Sequence, residues 1–370
     1  MDSMNMIAYM HFRGDLNWHT QSWGEVDGMI LTQLSSLDYT DCMPCARNVQ
    51  SMVPGSYKNL PTIHQVADAY FARRETQENR SQVETLLAMA AESVRFGEVR
   101  MDAFVRETVP AANKKFSAVT FYLSPWRAHI SYRGTDGSFI SWKENFVMTY
   151  RMPIPSQEDA VLYLEKITSK PFLKVSVGGH SKGGNMAIYA ASYCKEQLQR
   201  KLVNIYSFDG PGFIQNIEAE PGFLRIAKRI TALAPVDAVV CHMMSSPCKY
   251  VYVDSDSFGI RQHGMMHWQV DGRGLIRVAD RSDYSKNMDA TVNGWSDTIP
   301  LEERAAAVEE IFGIFEKNGV LEFEQLFHME WRQTLGVLRS ATGVSAQARE
   351  WFISMVKMLW DEYRRKPEKS

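Results

Sequence analysis

The ten residues GGHSKGGNMA, Gly178 to Ala187, constrain this chain more than any other stretch. Four glycines surround one histidine, one serine and one lysine. The run "LKVSV" precedes them and "NMAIYAA" follows, a pattern of strand, sharp turn and helix. A Walker loop places its lysine before the Ser/Thr, whereas Lys182 follows Ser181, so a phosphate-cradling use fails. The dinucleotide pattern GxGxxG is absent as well. What fits is G-x-S-x-G, Gly179 to Gly183. Larger side chains two before and two after the serine would clash with the adjoining strand and helix. A strained turn then holds the serine Oγ out at the carboxyl edge of a sheet. The amide of Lys182, at the helix N-terminus, points to where an oxyanion would form. Ser181 is expected to be a nucleophile.

Texture along the chain predicts three zones. Residues 1–112 read as a helical N-terminal part packed on the core. Val26, Met29, Ile30, Leu34 and Leu37 recur at helical spacing, and Ser81 with Glu84 forms a capping-box signature. Residues 113–290 alternate short β-branched or aromatic runs with helical ones, which implies parallel strands covered on both faces, an α/β fold. The strands expected are "SAVTFYL", "RAHISYRG", "FLKVSVGG", "LVNIYSFDG", "ITALAP" and "CKYVYVDS". Residues 291–370 read as a C-terminal helical extension. One helix follows Pro300 and two more are expected near 322–339 and 346–363, where "WFISMVKMLW" is a core stripe. The terminal helices are expected to form a lid or a dimer face.

Composition narrows the function classes. With 45% apolar and 23% charged residues the chain reads as soluble and globular, and a net charge of −2 gives no reason to expect a nucleic-acid partner. No stretch reaches the roughly 18 apolar residues of a spanning helix. The N-terminus lacks the pattern of a secretory signal, so a cytoplasmic location is expected. The five cysteines are scattered and form no disulfide framework. "CMPC" at Cys42 to Cys45 has no second pair to make a zinc site, so neither metal nor cofactor is expected.

A nucleophilic serine needs a base, and the base an orienting carboxylate, in the order Ser, Asp or Glu, His. Asp237 follows "RITALAP", and His263 lies in the loop after "KYVYVDS". Asp209, in "FDGPG" one strand earlier, is the rival acid, and His267 the rival base. His242 reads as an ordinary loop or helix histidine. Thr135 is expected to supply a second oxyanion donor beside Lys182, with Arg133 and Glu144 pairing to pin its loop. His180 reads as packing beneath the elbow, and Asp209, His180 and Met265 are expected to border the substrate. The apolar, Met-rich stretches nearby favour an acyl chain or lipid-like ester, and read equally well as core.

The stretches "YRGTDGSFISWKENF", "GGHSKGGNMA", "SFDGPGF" and "QHGMMHWQV" together resemble the DUF2974 (Mbeg1-like) bacterial proteins of the α/β-hydrolase superfamily. They are similar, more distantly, to class 3 lipases, which carry an FRGT-type oxyanion loop and a GHSxGG elbow. "FRGDLNWHTQSWGEVDGMILTQLSSLDY" extends the likeness, which covers most of residues 5–275. The resemblance implies Ser181 as nucleophile, His263 as base and Thr135 in the oxyanion region, and supports Asp237 less firmly. Tyr132 stands where Phe is usual, Gly264 where an acidic residue is common, and Lys182 where lipases show Leu. The reading that results is a serine hydrolase of carboxylic esters. An acyltransferase using the same triad, or a non-catalytic binding module lacking a triad member, are the alternatives.

Overall fold

The computed structural model describes residues 4–73 and 80–320, without the side chains of 291–298, and separate positions between 325 and 351. Eight strands lie in sequence order across one sheet: β1 (Cys45–Ala46), β2 (Arg100–Val109), β3 (Lys114–Ser124), β4 (Arg127–Tyr132), β5 (Lys174–His180), β6 (Leu202–Phe208), β7 (Ile230–Pro235) and β8 (Val251–Val253). β3 runs antiparallel to both of its neighbours, and every other pairing is parallel. The helices are α1 (Met6–Arg13), α2 (Glu25–Leu34), α3 (Ile63–Ala72), α4 (Gln82–Glu92), α5 (Phe139–Val147), α6 (Pro155–Thr168), α7 (Lys182–Tyr193), α8 (Glu196–Gln199), α9 (Pro221–Ile226), α10 (Asp283–Thr298) and α11 (Leu301–Lys317). This mostly parallel sheet between two helical layers is the α/β-hydrolase fold.

Period-2 alternation divides β3 and β6 between two cores. On β3, Val119 and Phe121 face α1 to α4, while Phe116, Ala118 and Tyr122 face α6 and α7. β6 does the same, with Tyr206 and Phe208 on the first face and Ile205 on the second. The N-terminal helices therefore share their core with the sheet. β2 lies inside the stretch expected to be helical. A register shift between Asp102 and Val105, with Ala103 at φ +56°, interrupts the alternation that would have marked it as a strand. The Ser81–Glu84 capping box forms as read, with Glu84 N to Ser81 Oγ at 3.2 Å.

α11 lies against α5 in a third apolar cluster, where the rings of Phe139 and Phe315 stack at 4.6 Å. Most positions of the helices expected near 322–339 and 346–363, and of the run from Trp351 to Trp360, fall outside the described residues. No helix among the described residues is long and apolar enough to cross a membrane.

The N-terminal layer is tied together by a buried ion pair. Arg95 donates to both oxygens of Asp27 on α2, at 2.6 and 2.7 Å, and to the carbonyls of Leu16, Gln21 and Ser22. Its guanidinium also lies 4.0 Å over the Trp18 ring. With every donor engaged, removing one partner leaves an uncompensated buried charge. Asp27→Ala is expected to destabilise the fold by about 3–5 kcal/mol, read as a lower denaturant midpoint.

Candidate active site

β5 ends at His180 and α7 begins at Lys182, so Ser181 alone makes the turn. Its backbone sits at φ +56°, ψ −129°, a region L-residues rarely occupy and which costs of order 1–3 kcal/mol. The close approach explains the glycines on either side. A Cβ on Gly179 would lie 2.1 Å from the Gly183 carbonyl carbon, and one on Gly183 would lie 2.2 Å from the Tyr132 carbonyl oxygen. Ser181 N donates to the Phe208 carbonyl at 2.9 Å, which fastens the turn to the end of β6.

His263 closes a single-turn helix, Gly259–His263, that follows β8 in the chain. Its Nδ1 lies 2.6 Å from Asp209 Oδ2. A carboxylate only accepts, so the proton is on Nδ1 and Nε2 is left as the basic nitrogen. The ring packs at 4.3 Å, tilted by 38°, against that of His180, the residue before the serine. His180 Nε2 in turn donates to the His263 carbonyl at 2.7 Å. Burial, with the charge of His263 adding to it, holds His180 down to about 3, so it stays neutral beside any imidazolium that forms.

The carboxylate that meets His263 is Asp209, and the expected pairing of Asp237 with His263 is not formed. Asp209 follows β6, which lies beside β5, whereas Asp237 follows β7, one strand further out. Asp209 takes φ +48° and is fully buried, and its second oxygen accepts from Cys241 N at 3.1 Å. Burial alone would raise its carboxyl. The charge and hydrogen bond of His263, His180 and the Cys241 amide hold it below the ordinary carboxylate range. Asn185 on α7 fixes the loop after Asp209 by donating to the carbonyls of Gly212 and Pro211 at 2.7 and 3.2 Å.

Asp237 holds the histidine's loop instead. It accepts from Gly259 N at 2.7 Å, Gln262 Nε2 at 3.0 Å and Ser282 Oγ at 2.5 Å. Of the two other expected border residues, His180 is partly exposed and Met265 is buried. Met265 is 1% exposed in the core beside Met266 and Trp268. His267 is half-exposed and bonds Asp256 at 2.8 Å. His242 Nε2 lies 3.2 Å from the Tyr252 hydroxyl.

The loop after β4 lies against the elbow. A Cβ on Gly134 would sit 2.4 Å from the His180 carbonyl oxygen and 3.3 Å from Ser181 Cβ. Thr135 follows, and its Oγ1 lies 3.0 and 2.8 Å from the amide oxygen and nitrogen of Asn145 on α5. The expected Arg133–Glu144 pair is absent. Arg133 lies 3.8 Å from Asp136, and Glu144 is 2.5 Å from Lys182 Nζ with both side chains buried. Reach decides this: Lys182 points across the elbow into the fold, where Glu144 is also held by Ser156 Oγ at 2.5 Å and Lys115 N at 3.2 Å.

A profile of the Mbeg1-like family matches residues 90–313, a span that holds the elbow, both aspartates and the histidine. The chain belongs to the Mbeg1-like family. No curated protein matches the sequence. Among solved structures, this Mbeg1-like chain is similar to Rhizomucor miehei lipase in a propeptide complex, at 15% identity over 72% of this chain and 75% of that one, TM-score 0.38. M37 lipase shares 18% identity over 45% of this chain, TM-score 0.30, and this chain spans 64% of its length. Lipase from Rhizopus microsporus var. chinensis shares 19% over 47% and 66%, TM-score 0.29. None of these likenesses assigns a role to a residue here.

Asn145 and Asn185 have no assigned place in the sequence reading, and Glu144, expected to pair with Arg133, meets Lys182 instead. Asp209 has a clear cue: an aspartate at a strand end before Gly-Pro, next to the strand that leads into Ser181. Its depressed carboxyl makes a signed prediction. A group held below its unfolded value of about 4 adds stability above that pH and loses it as pH falls through the folded value. Asp209→Asn is expected to lower the denaturant midpoint near neutral pH, by a gap that narrows below about pH 4. A gap independent of pH would contradict the pairing.

Proposed function

We propose that this chain is a serine hydrolase of carboxylic esters, with Ser181 as nucleophile, His263 as general base and Asp209 as the carboxylate that orients it. The observation that carries the reading is the juxtaposition at one sheet edge of a strained Ser181 turn and a His263–Asp209 pair at 2.6 Å, with the His263 ring packed against the residue before the serine. His263 Nε2 removes the hydroxyl proton as Ser181 Oγ forms a bond to the ester carbonyl carbon. The amides of Lys182 and Thr135 stabilise the oxyanion, a contribution of about 10²–10³ per donor. The tetrahedral species collapses, and the alcohol leaves with the proton from His263. Water, deprotonated by the same nitrogen, then releases the acid and restores the serine. Asp209 keeps the imidazole in the Nδ1–H tautomer and steadies its charge throughout.

A binding module would lack one of these three groups, and none is lacking. The motif likeness to class 3 lipases favours an acyl or lipid-like ester as the substrate class. The Met-rich run around Met265 adds nothing to that, because it packs in the core.

The experiment is hydrolysis of p-nitrophenyl esters of graded acyl length. Ser181→Ala should lose at least about 10³-fold in kcat with an unchanged fold, and Asp209→Asn about 10³–10⁴-fold. Asp237→Asn should lose much less in kcat, its effect falling on the stability of the loop it holds. Equal losses for the two aspartates would contradict the assignment of the acid.

A further inference from the structure

The chemistry above uses the amide of Lys182 and leaves its side chain without a task. That side chain is 1% exposed and ends 2.5 Å from Glu144, itself fully buried, and 3.0 Å from the Lys115 carbonyl. Burying two charges is expensive, and apolar residues of similar volume often serve stability as well. The location of the pair shows what else it does.

Lys182 is the first residue of α7, directly after the nucleophile. Glu144 lies on α5, the helix that follows the Gly134–Ser138 loop. The next residue on α5, Asn145, closes its carboxamide on the Thr135 hydroxyl at 2.8 and 3.0 Å. Side chains therefore link one oxyanion donor to the other: Lys182 to Glu144, along one peptide to Asn145, and on to Thr135. Lys115, at the start of β3, braces the same link from behind. Its carbonyl accepts from Lys182 Nζ, its amide donates to Glu144 at 3.2 Å, and its Nζ lies 2.6 Å from Asp136 in the loop.

We propose that the side chains of Lys182, Glu144 and Asn145 are positioning residues that set the separation of the two oxyanion donors. This rests on the hydrolase reading given above. Oxyanion donors act only when held within about 0.5 Å of the productive geometry. An irregular loop reaches that rigidity through fixed polar ties, and an apolar side chain at position 182 would fill the space without fixing how α5 sits on the elbow. The link acts on the transition state, where the oxyanion exists, so its loss should lower kcat and leave KM nearly as it was.

The test compares kcat, KM and denaturant midpoint for wild type, Asn145→Ala, Lys182→Met and the double variant Lys182→Met/Glu144→Gln, with p-nitrophenyl butyrate as substrate. Asn145→Ala should lower kcat about 10–10²-fold with KM within about twofold. Lys182→Met should lose stability and activity together, since it strands a buried carboxylate. In the double variant no unpaired charge remains, so the midpoint should return toward wild type while kcat stays about 10²-fold low. A merely structural pair would let kcat recover with the midpoint. That outcome, or wild-type kcat in Asn145→Ala, overturns the proposal and leaves the hydrolase reading intact. A folded wild type that hydrolyses no ester of the series overturns both.

Discussion

A one-residue turn between strand and helix is feasible only where the two backbones can touch, and Gly179 against Gly183 is that contact. With any side chain at either position, β5 and α7 would be forced apart and Ser181 would lose the φ of +56° that presents it. The same contact reaches sideways. Gly183 lies against the Tyr132 carbonyl and Gly134 against the His180 carbonyl, so the end of β4 and the loop after it come to Ser181. Placement of both oxyanion candidates follows from the absence of Cβ atoms at these positions.

Around that contact the charged groups are taken out of water in pairs. Asp27 holds Arg95 under the N-terminal layer, Glu144 holds Lys182 beneath the elbow, and Asp209 holds His263 at the edge. The first two are almost wholly enclosed and join separate segments of chain. In the third the histidine keeps 25% of its side chain exposed, which leaves a partly open group with a basic nitrogen on a buried anchor. His180 completes the arrangement by staying neutral under the imidazole, so no second positive charge opposes its protonation.

What could be read from sequence was what neighbouring residues decide. The elbow, the capping box at Ser81 and the strands of the parallel sheet depend on spacing over a few residues, and each formed where expected. The hidden parts depend on distance across the fold. Asp209 and Asp237 both end strands, and only lateral order in the sheet, with the left-handed backbone at Asp209, decides which reaches His263. Lys182 and Glu144 are 38 residues apart and meet because the lysine reaches from the start of α7 to α5. β2 escaped notice because its bulge breaks the alternation that marks a strand.

The proposed chemistry turns on Ser181 being an activated nucleophile served by the His263–Asp209 pair. Its most direct measurement is covalent labelling of the whole protein with a fluorophosphonate, followed by mass spectrometry of the peptides. One adduct is expected, on Ser181, forming far more slowly in Asp209→Asn. Absence of an adduct on folded protein, or labelling at another serine with Ser181 untouched, would contradict it.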